Sequence, residues 1–314
     1  MASAARAGDS DDMSSITAQP VVCGVDESSE ARAAAHLAGV LAARLDVPLI
    51  LAHVCQPAAS ASAAPPPLGG AALGHPTLAY MEEVEERARE TGRTLLDDLG
   101  RTLPVAAQTE LLTGDTVRAL GELADEREAS LLVVGAHRRG ALARAVSGTA
   151  WCRLAIEDHC PVVVVPSDVD VSAAGPVVAG FDGSEDSERA VLTAAALAAT
   201  LGERLLIVNV VGDTATDVPL DAVTAQRLRH AATAAVDTGE VHSDSPRPSI
   251  DAQSVIRHGE PHEQLARAAA DEGASLIVTG SRGRGPWRAA VLGSVSAGVA
   301  EIAPRPVVIV PPIT

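Results

Sequence analysis

Residues 20–34 read PVVCGVDESSEARAA, and residues 176–190 read PVVAGFDGSEDSERA. Asp26 falls on Asp182, so the second stretch repeats the first 156 positions later. The same offset carries LILAHVC, ending at Cys55, onto LLIVNVV, ending at Val211. Further along the offset becomes 145. It joins LLTGDTVRAL around Gly114 to VIRHGEPHEQL around Gly259, LLVVG ending at Gly135 to LIVTG ending at Gly280, and PVVVVP from Pro161 to PVVIVP from Pro306. The change falls between Cys55 and Gly114, where the first copy holds an Ala/Pro/Gly-rich stretch from Pro57 to Pro76. Length changes in a surface loop cost little, so an insertion belongs there. Self-similarity over both halves means two copies of one fold.

Each copy reads as strand, helix, strand, loop and helix, strand, helix, strand, helix, strand. In copy one the first strand spans Val21 to Val25, and a helix follows from Ser29 to Leu45. Ser28 or Ser29 is placed to cap that helix, with Glu30 near the positive end of its dipole. The runs Leu49 to Val54, Leu131 to Val134 and Val162 to Val165 are almost continuously aliphatic. Strands apolar on both faces and alternating with helices predict α/β domains, each a doubly wound parallel sheet covered on both sides. The expected organisation is a disordered tail at 1–18, a first domain at 19–166, a linker at 167–175 and a second domain at 176–314.

Composition narrows the function. Only four residues among 314 are aromatic: Tyr80, Trp151, Phe181 and Trp287. Aliphatic residues must build the cores, and stacking platforms for bases are lacking. The net charge of −17 repels phosphate polyanions, so nucleic acid is not an expected partner. All 24 basic residues are Arg, which excludes a P-loop, Schiff-base or kinase-type Lys. Cys23, Cys55, Cys152 and Cys160 show no C-x-x-C spacing and read as small core residues. Without a visible signal peptide or a membrane-length apolar run, the expectation is a cytoplasmic protein away from membranes.

The chemistry concentrates after the fourth strand of copy two. Gly280-Ser281-Arg282-Gly283, nine further residues, and Gly293-Ser294-Val295-Ser296 fit the pattern G-x-x-G-x9-G-[ST] between a strand and a helix. Glycines there let the backbone turn and approach a phosphate, while serine hydroxyls and helix-start amides can donate to oxyanions.

With this loop, the Gly-Phe-Asp-Gly-Ser opening and the closing Pro-Val-Val-Ile-Val-Pro, the chain resembles the universal stress protein family over residues 20–166 and 176–314. The resemblance implies an ATP-binding regulatory module, with Mg2+ accompanying the nucleotide. It places Asp182 beside the adenosine, Val210 against the base and Gly280 near the ribose. Gly283, Gly293, Ser294, Val295 and Ser296 would surround the phosphates, and Arg282 stands in the same loop. These residues lie at the carboxyl ends of parallel strands, where ligands bind in such sheets.

Copy one departs from the pattern. Its loop runs Gly135-Ala136-His137-Arg138-Arg139-Gly140, with Gly148-Thr149 in place, and Arg138 stands where copy two has Gly283. If that backbone needs a positive φ or close phosphate approach, Arg138 weakens the site; the opposite reading makes it a phosphate ligand. Asp26, Val54, Gly135, Gly148 and Thr149 form the weaker candidate set.

Blander readings stand beside these. The glycines could form turns only, Asp182 could cap a helix, and Arg282, Arg284 and Arg288 could be a solvated basic loop. His258, His262 and Glu263 invite a metal, but Pro261 intervenes and spacing nominates no third ligand, so no metal site is expected. No nucleophile–base pair emerges, and the Ser-Gly-Gly-x-Asp-Ser signature of adenylating relatives is absent after strand one. A binding module is therefore expected, with slow ATP hydrolysis at most; a scaffold with two degenerate pockets is the alternative. Val162–Val165 and Val307–Val310 are short, apolar and bracketed by prolines. The resemblance implies that these edge strands, otherwise sticky templates, pair within the chain as an intrachain pseudo-dimer like the family's dimer. A further homodimer is left open.

Overall fold

A computed structural model describes residues 19–56, 78–136, 150–157, 160–166, 169, 174–212, 220–237, 250–283 and 292–312. The readings made for the tail at 1–18, most of the linker, the loop from Pro57 to Pro76, and Arg138, Gly148, Thr149, Arg284 and Arg288 lie outside these residues.

Copy one runs β1 (Val21–Gly24), α1 (Ser29–Leu45), β2 (Leu49–Cys55), α2 (Leu78–Gly100), β3 (Ala107–Thr113), α3 (Thr116–Glu126), β4 (Leu131–Gly135), α4 (Ala150–Leu154) and β5 (Val162–Val165). Copy two repeats the order as β6 (Val177–Phe181), α5 (Glu185–Leu201), β7 (Leu205–Val211), α6 (Ala222–Asp237), β8 (Ala252–His258), α7 (Pro261–Asp271), β9 (Leu276–Gly280), α8 (Ser294–Ile302) and β10 (Val307–Val310).

The helices begin where local chemistry supplies a partner for their first amides. The Ser28 hydroxyl accepts from the Ala31 amide at 3.1 Å, which makes Ser28 rather than Ser29 the cap of α1. In copy two the Ser184 hydroxyl accepts from the Ser187 amide at 3.2 Å. At the far ends, Asp46 and Gly202 both turn left-handed, with φ of 56° and 68°. Gly202 adopts this conformation without strain, because it has no Cβ to meet the backbone.

All ten strands join one sheet in the order β3-β2-β1-β4-β5-β10-β9-β6-β7-β8. Pairing is parallel within each half. At the centre β5 and β10 pair antiparallel, with Val307 opposite Val164, Val308 opposite Val163 and Ile309 opposite Val162. Two edges that would otherwise template aggregation thus close on each other, and the two copies form an intrachain pseudo-dimer.

Side chains alternate across this seam. Val163, Val165, Val308 and Val310 enter the core beneath α1 and α5, together with Leu41, Leu197 and Ile207. Val162, Val164, Val307 and Ile309 enter the opposite core, with Leu120, Leu154, Leu265 and Val299 from α3, α4, α7 and α8. Each core is therefore continuous from one copy to the other. Every one of the six paired seam residues is at most 1% exposed, and full burial of such a side chain stabilises by about 1.5–3 kcal/mol. Arg44, in the last turn of α1, adds a polar contact by donating to the Leu201 carbonyl at the end of α5, at 2.9 Å.

In each half the chain passes outward from the first strand to the next two, then returns to the first strand's other side. Adjacent connections diverge there, and the carboxyl ends of β6 and β9, like those of β1 and β4, border a crevice.

Candidate functional site

In copy two the crevice is built from four pieces of chain. β6 ends at Phe181, which delivers Asp182 to the rim. Asp182 Oδ1 accepts from the Ser184 amide at 2.9 Å and from the Ser184 hydroxyl at 2.6 Å. One carboxylate oxygen thus holds the serine that caps α5, and the cap itself belongs to Ser184. The bend between them needs Gly183, whose φ is +81°.

The other oxygen faces the glycine loop. A Cβ placed on Gly283 would stand 2.9 Å from Asp182 Oδ2. Gly283 does not occupy the left-handed region, since the described glycines with positive φ are Gly114, Gly183, Gly202, Gly259 and Gly273. The backbone ground for excluding Arg at this place therefore falls away, and the crowding ground takes its place. A side chain at Gly283 therefore presses on the Asp182 carboxylate, which must shift to admit it.

Gly280 is required for a different reason. Its Cβ would lie 2.8 Å from the Asp186 carbonyl oxygen, in the first turn of α5. Gly135 stands in the same relation to Glu30 of α1, also at 2.8 Å. In both copies this glycine lets the strand end pass against a helix start, which is a packing demand independent of any ligand.

Beyond Gly280, the Ser281 amide donates to the Val310 carbonyl at 2.8 Å, and the Gly293 amide donates back to the Ser281 carbonyl at 2.8 Å. The loop is thereby pinned at both ends to the strand pair β9–β10, with Arg282 partly buried beside Gly293. Gly293 is the N-cap of α8 and supplies no side-chain cap, so the helix start keeps donors for an incoming acceptor. Ser294 is exposed at the first helical position. Val295 is half-buried against the core, so its amide is what it presents. The Ser296 hydroxyl donates inward to the Gly280 carbonyl at 2.5 Å and is 3% exposed, which again leaves the amide.

The Ser281 hydroxyl is 2% exposed and has no hydrogen-bond partner within the described structure. A buried hydroxyl without a partner costs about 1–3 kcal/mol, and the nearby Thr279 hydroxyl is in the same position among the described residues.

β7 forms the remaining wall. Val210 is half-buried near its end. Asn209, one residue earlier, is 2% exposed and had no part in the sequence-based set. Its Nδ2 donates to the Phe181 carbonyl at 3.0 Å, and its Oδ1 accepts from the Leu220 amide at 3.0 Å. A signal existed in the sequence, since Asn209 is the one polar residue in the run LLIVNVV.

Copy one preserves part of this arrangement. Asp26 Oδ1 accepts from the Ser28 amide at 2.9 Å and from the Ser28 hydroxyl. Asp26 is exposed and Val54 half-buried, at places matching Asp182 and Val210. The second strand is fixed differently: His53 Nδ1 bonds the Val25 carbonyl at 2.9 Å. The rest of that imidazole leans on α2, where a Cβ on Gly92 would lie 2.7 Å from His53 Cδ2.

Of the other candidates, His258 and Glu263 are exposed. His262 lies under α8, where a Cβ on Gly298 would approach its Cγ to 2.8 Å. Among the described residues no group of three or more His, Cys, Asp or Glu is arranged to hold a metal. All four cysteines are free thiols, and Cys23, Cys55 and Cys160 are buried. Burial pushes the Cys160 thiol up to about 12 and that of Cys23 higher still, so neither forms a thiolate near neutrality. Among the described residues no helix is long and apolar enough to cross a membrane.

Comparison with known proteins bears on the family and the fold. The sequence pattern of the universal stress protein family matches residues 17–166 and again 174–311. A universal stress protein of Mycolicibacterium smegmatis is 30% identical over 304 residues, covering 95% of this chain and 99% of the relative. The universal stress protein Rv2005c of Mycobacterium tuberculosis is 30% identical over 295 residues, covering 92% of this chain and 96% of its own. Among solved structures, a universal stress protein from Archaeoglobus fulgidus superposes with a TM-score of 0.66 at 19% identity, covering 95% of this chain and 97% of that one. Two repeats of one crevice-bearing α/β unit, matched twice by one family's pattern, place the chain in the universal stress protein family.

Proposed function

We propose that copy two binds an adenine nucleotide, ATP with Mg2+ on its phosphates, as a regulatory ligand of the stress response. The observation that carries this reading is the close approach of Gly283 to Asp182 beside the uncapped start of α8. A carboxylate for the nucleoside end and a row of amides for the phosphate end then share one crevice at the switch point of the sheet.

The residues fit the ligand as follows. Asp182 Oδ2 and the end of β7 at Val210 would hold the adenosine. Gly293, with the amides of Ser294, Val295 and Ser296, would hold the phosphates, and Arg282 and the Ser294 hydroxyl stand at that same end. Mg2+ prefers oxygen ligands and keeps several waters, so it would ride on the phosphates rather than in a protein cage. Slow hydrolysis of the bound nucleotide is compatible with this role. The reading places the protein in the cytoplasm, a compartment that suits its free thiols.

Calorimetric titration of nucleotide-free full chain with MgATP tests the proposal through its stoichiometry. One site per chain is the expected result. Two sites would make copy one a binder as well and recast Arg138 as a phosphate ligand. No binding up to millimolar nucleotide would remove the proposal and leave the fused pair as an interaction scaffold.

A further inference from the structure

Asn209 stands at a junction outside the set of site residues read from the sequence. It is the last residue of the β6–β7 ladder, opposite Phe181. Beyond this pair the two strands deliver Asp182 and Val210, the residues assigned above to the nucleoside end. Leu220, where the chain re-enters the core before α6, is 8% exposed. The Asn209 amide ties these three stretches together, donating to Phe181 and accepting from Leu220. The orientation of the amide is fixed chemically, because a carbonyl oxygen only accepts and a backbone N–H only donates. At 2% exposure the amide has no water to replace a lost partner.

We infer that Asn209 is the positioning residue of the base end: it sets the spacing between Asp182 and Val210 without touching the nucleotide. The inference rests on the reading of copy two as a nucleotide site. Copy one supplies the contrast within the same molecule. His53 keeps the bond to the first strand, at 2.9 Å from the Val25 carbonyl, and turns the rest of its ring toward Gly92 of α2. A histidine thus fastens the second strand to the first, but an imidazole that donates through Nδ1 cannot present Nε2 at the place where an amide oxygen lies. Among the described residues the Asn209 side chain therefore has two backbone partners and the His53 ring one.

The test compares full-length wild type with Asn209→Ala and Asn209→His by calorimetry, using MgATP and, separately, inorganic triphosphate. Removing a buried amide that satisfies two backbone groups is expected to weaken MgATP binding about tenfold or more. Triphosphate binding is expected to stay as in wild type, because the start of α8 is anchored through β9 and β10. Asn209→His retains the Phe181 bond, loses Leu220, and is expected to fall between the two; its fold is already accommodated at the matching place in copy one. Wild-type MgATP affinity in both variants would overturn the inference, and so would equal loss of MgATP and triphosphate, which marks a general loosening. A wild-type chain that binds no MgATP would overturn the nucleotide reading together with this one, so the two failures are distinguishable.

Discussion

The crevice of copy one and the crevice of copy two share their frame and differ in what closes it. Both have an aspartate holding the cap serine, and both have a glycine pressed against the following helix. Both also turn after the third strand of their repeat through a glycine at φ +124°, Gly114 and Gly259. Features present in both copies are explained by the fold, since each has a backbone reason that holds without ligand. Features that differ are the second-strand anchor, His53 against Asn209, and the loop residue, Arg138 against Gly283. A glycine motif therefore splits into glycines the chain needs in order to fold and one that leaves room for something else.

The largest effect is expected from giving copy two the residue of copy one. Gly283→Arg places the first carbon of its side chain 2.9 Å from Asp182 Oδ2 and so displaces the carboxylate. MgATP affinity should fall about a hundredfold or more, equivalent to about 2.7 kcal/mol. Gly283 is exposed, so the melting temperature should hardly change. Calorimetric titration beside a thermal melt reads both, and unaltered binding would break the contrast between the copies.

Next come the glycines that the frame requires. Gly280→Ala and Gly135→Ala each drive a methyl group into backbone at 2.8 Å, and overpacking of this kind costs about 1–3 kcal/mol. Both variants should melt at lower temperature by similar amounts, measured by scanning calorimetry. A large loss at Gly280 with none at Gly135 would show that the frame is not shared.

The paired aspartates sharpen the comparison further. Asp182→Ala and Asp26→Ala each remove the oxygen that holds a cap serine, at a cost of about 1 kcal/mol of stability. Only Asp182→Ala should also weaken MgATP. Equal binding defects in both would assign nucleotide to both copies.

Much of this was legible in the sequence because the repeat constrains each half by the other. The helix from Ser29 to Leu45 and the strand Val162–Val165 appear with those bounds. Strand pairing at the seam was implied by the family resemblance, and the short aliphatic runs bracketed by prolines only marked which strands could carry it. The reason for each glycine was not legible, since a letter does not say whether space or φ is at stake. Gly283 shows this directly: its place depends on Asp182, a hundred residues earlier, and not on its own dihedral. Asn209 was missed because its partners, the Phe181 carbonyl and the Leu220 amide, are backbone groups that no side-chain pattern encodes. The partnerless Ser281 hydroxyl likewise needs coordinates to be seen.

The smallest expected effect concerns the seam itself, where the copies meet asymmetrically. Arg44 donates to the carbonyl of Leu201, at the negative end of α5, while the matching place in copy two is Thr200, whose hydroxyl bonds its own helix at Ala196. One copy therefore reaches across and the other does not. Arg44 is exposed, so solvent screens the contact and Arg44→Ala should cost less than about 1 kcal/mol. The continuous valine cores on both faces of β5 and β10 should keep the copies paired regardless. Scanning calorimetry at low and high salt reads the outcome: one transition, shifted slightly downward and less so at high salt. If Arg44→Ala instead split the melt into two transitions, the polar contact and not the buried seam would be coupling the two copies.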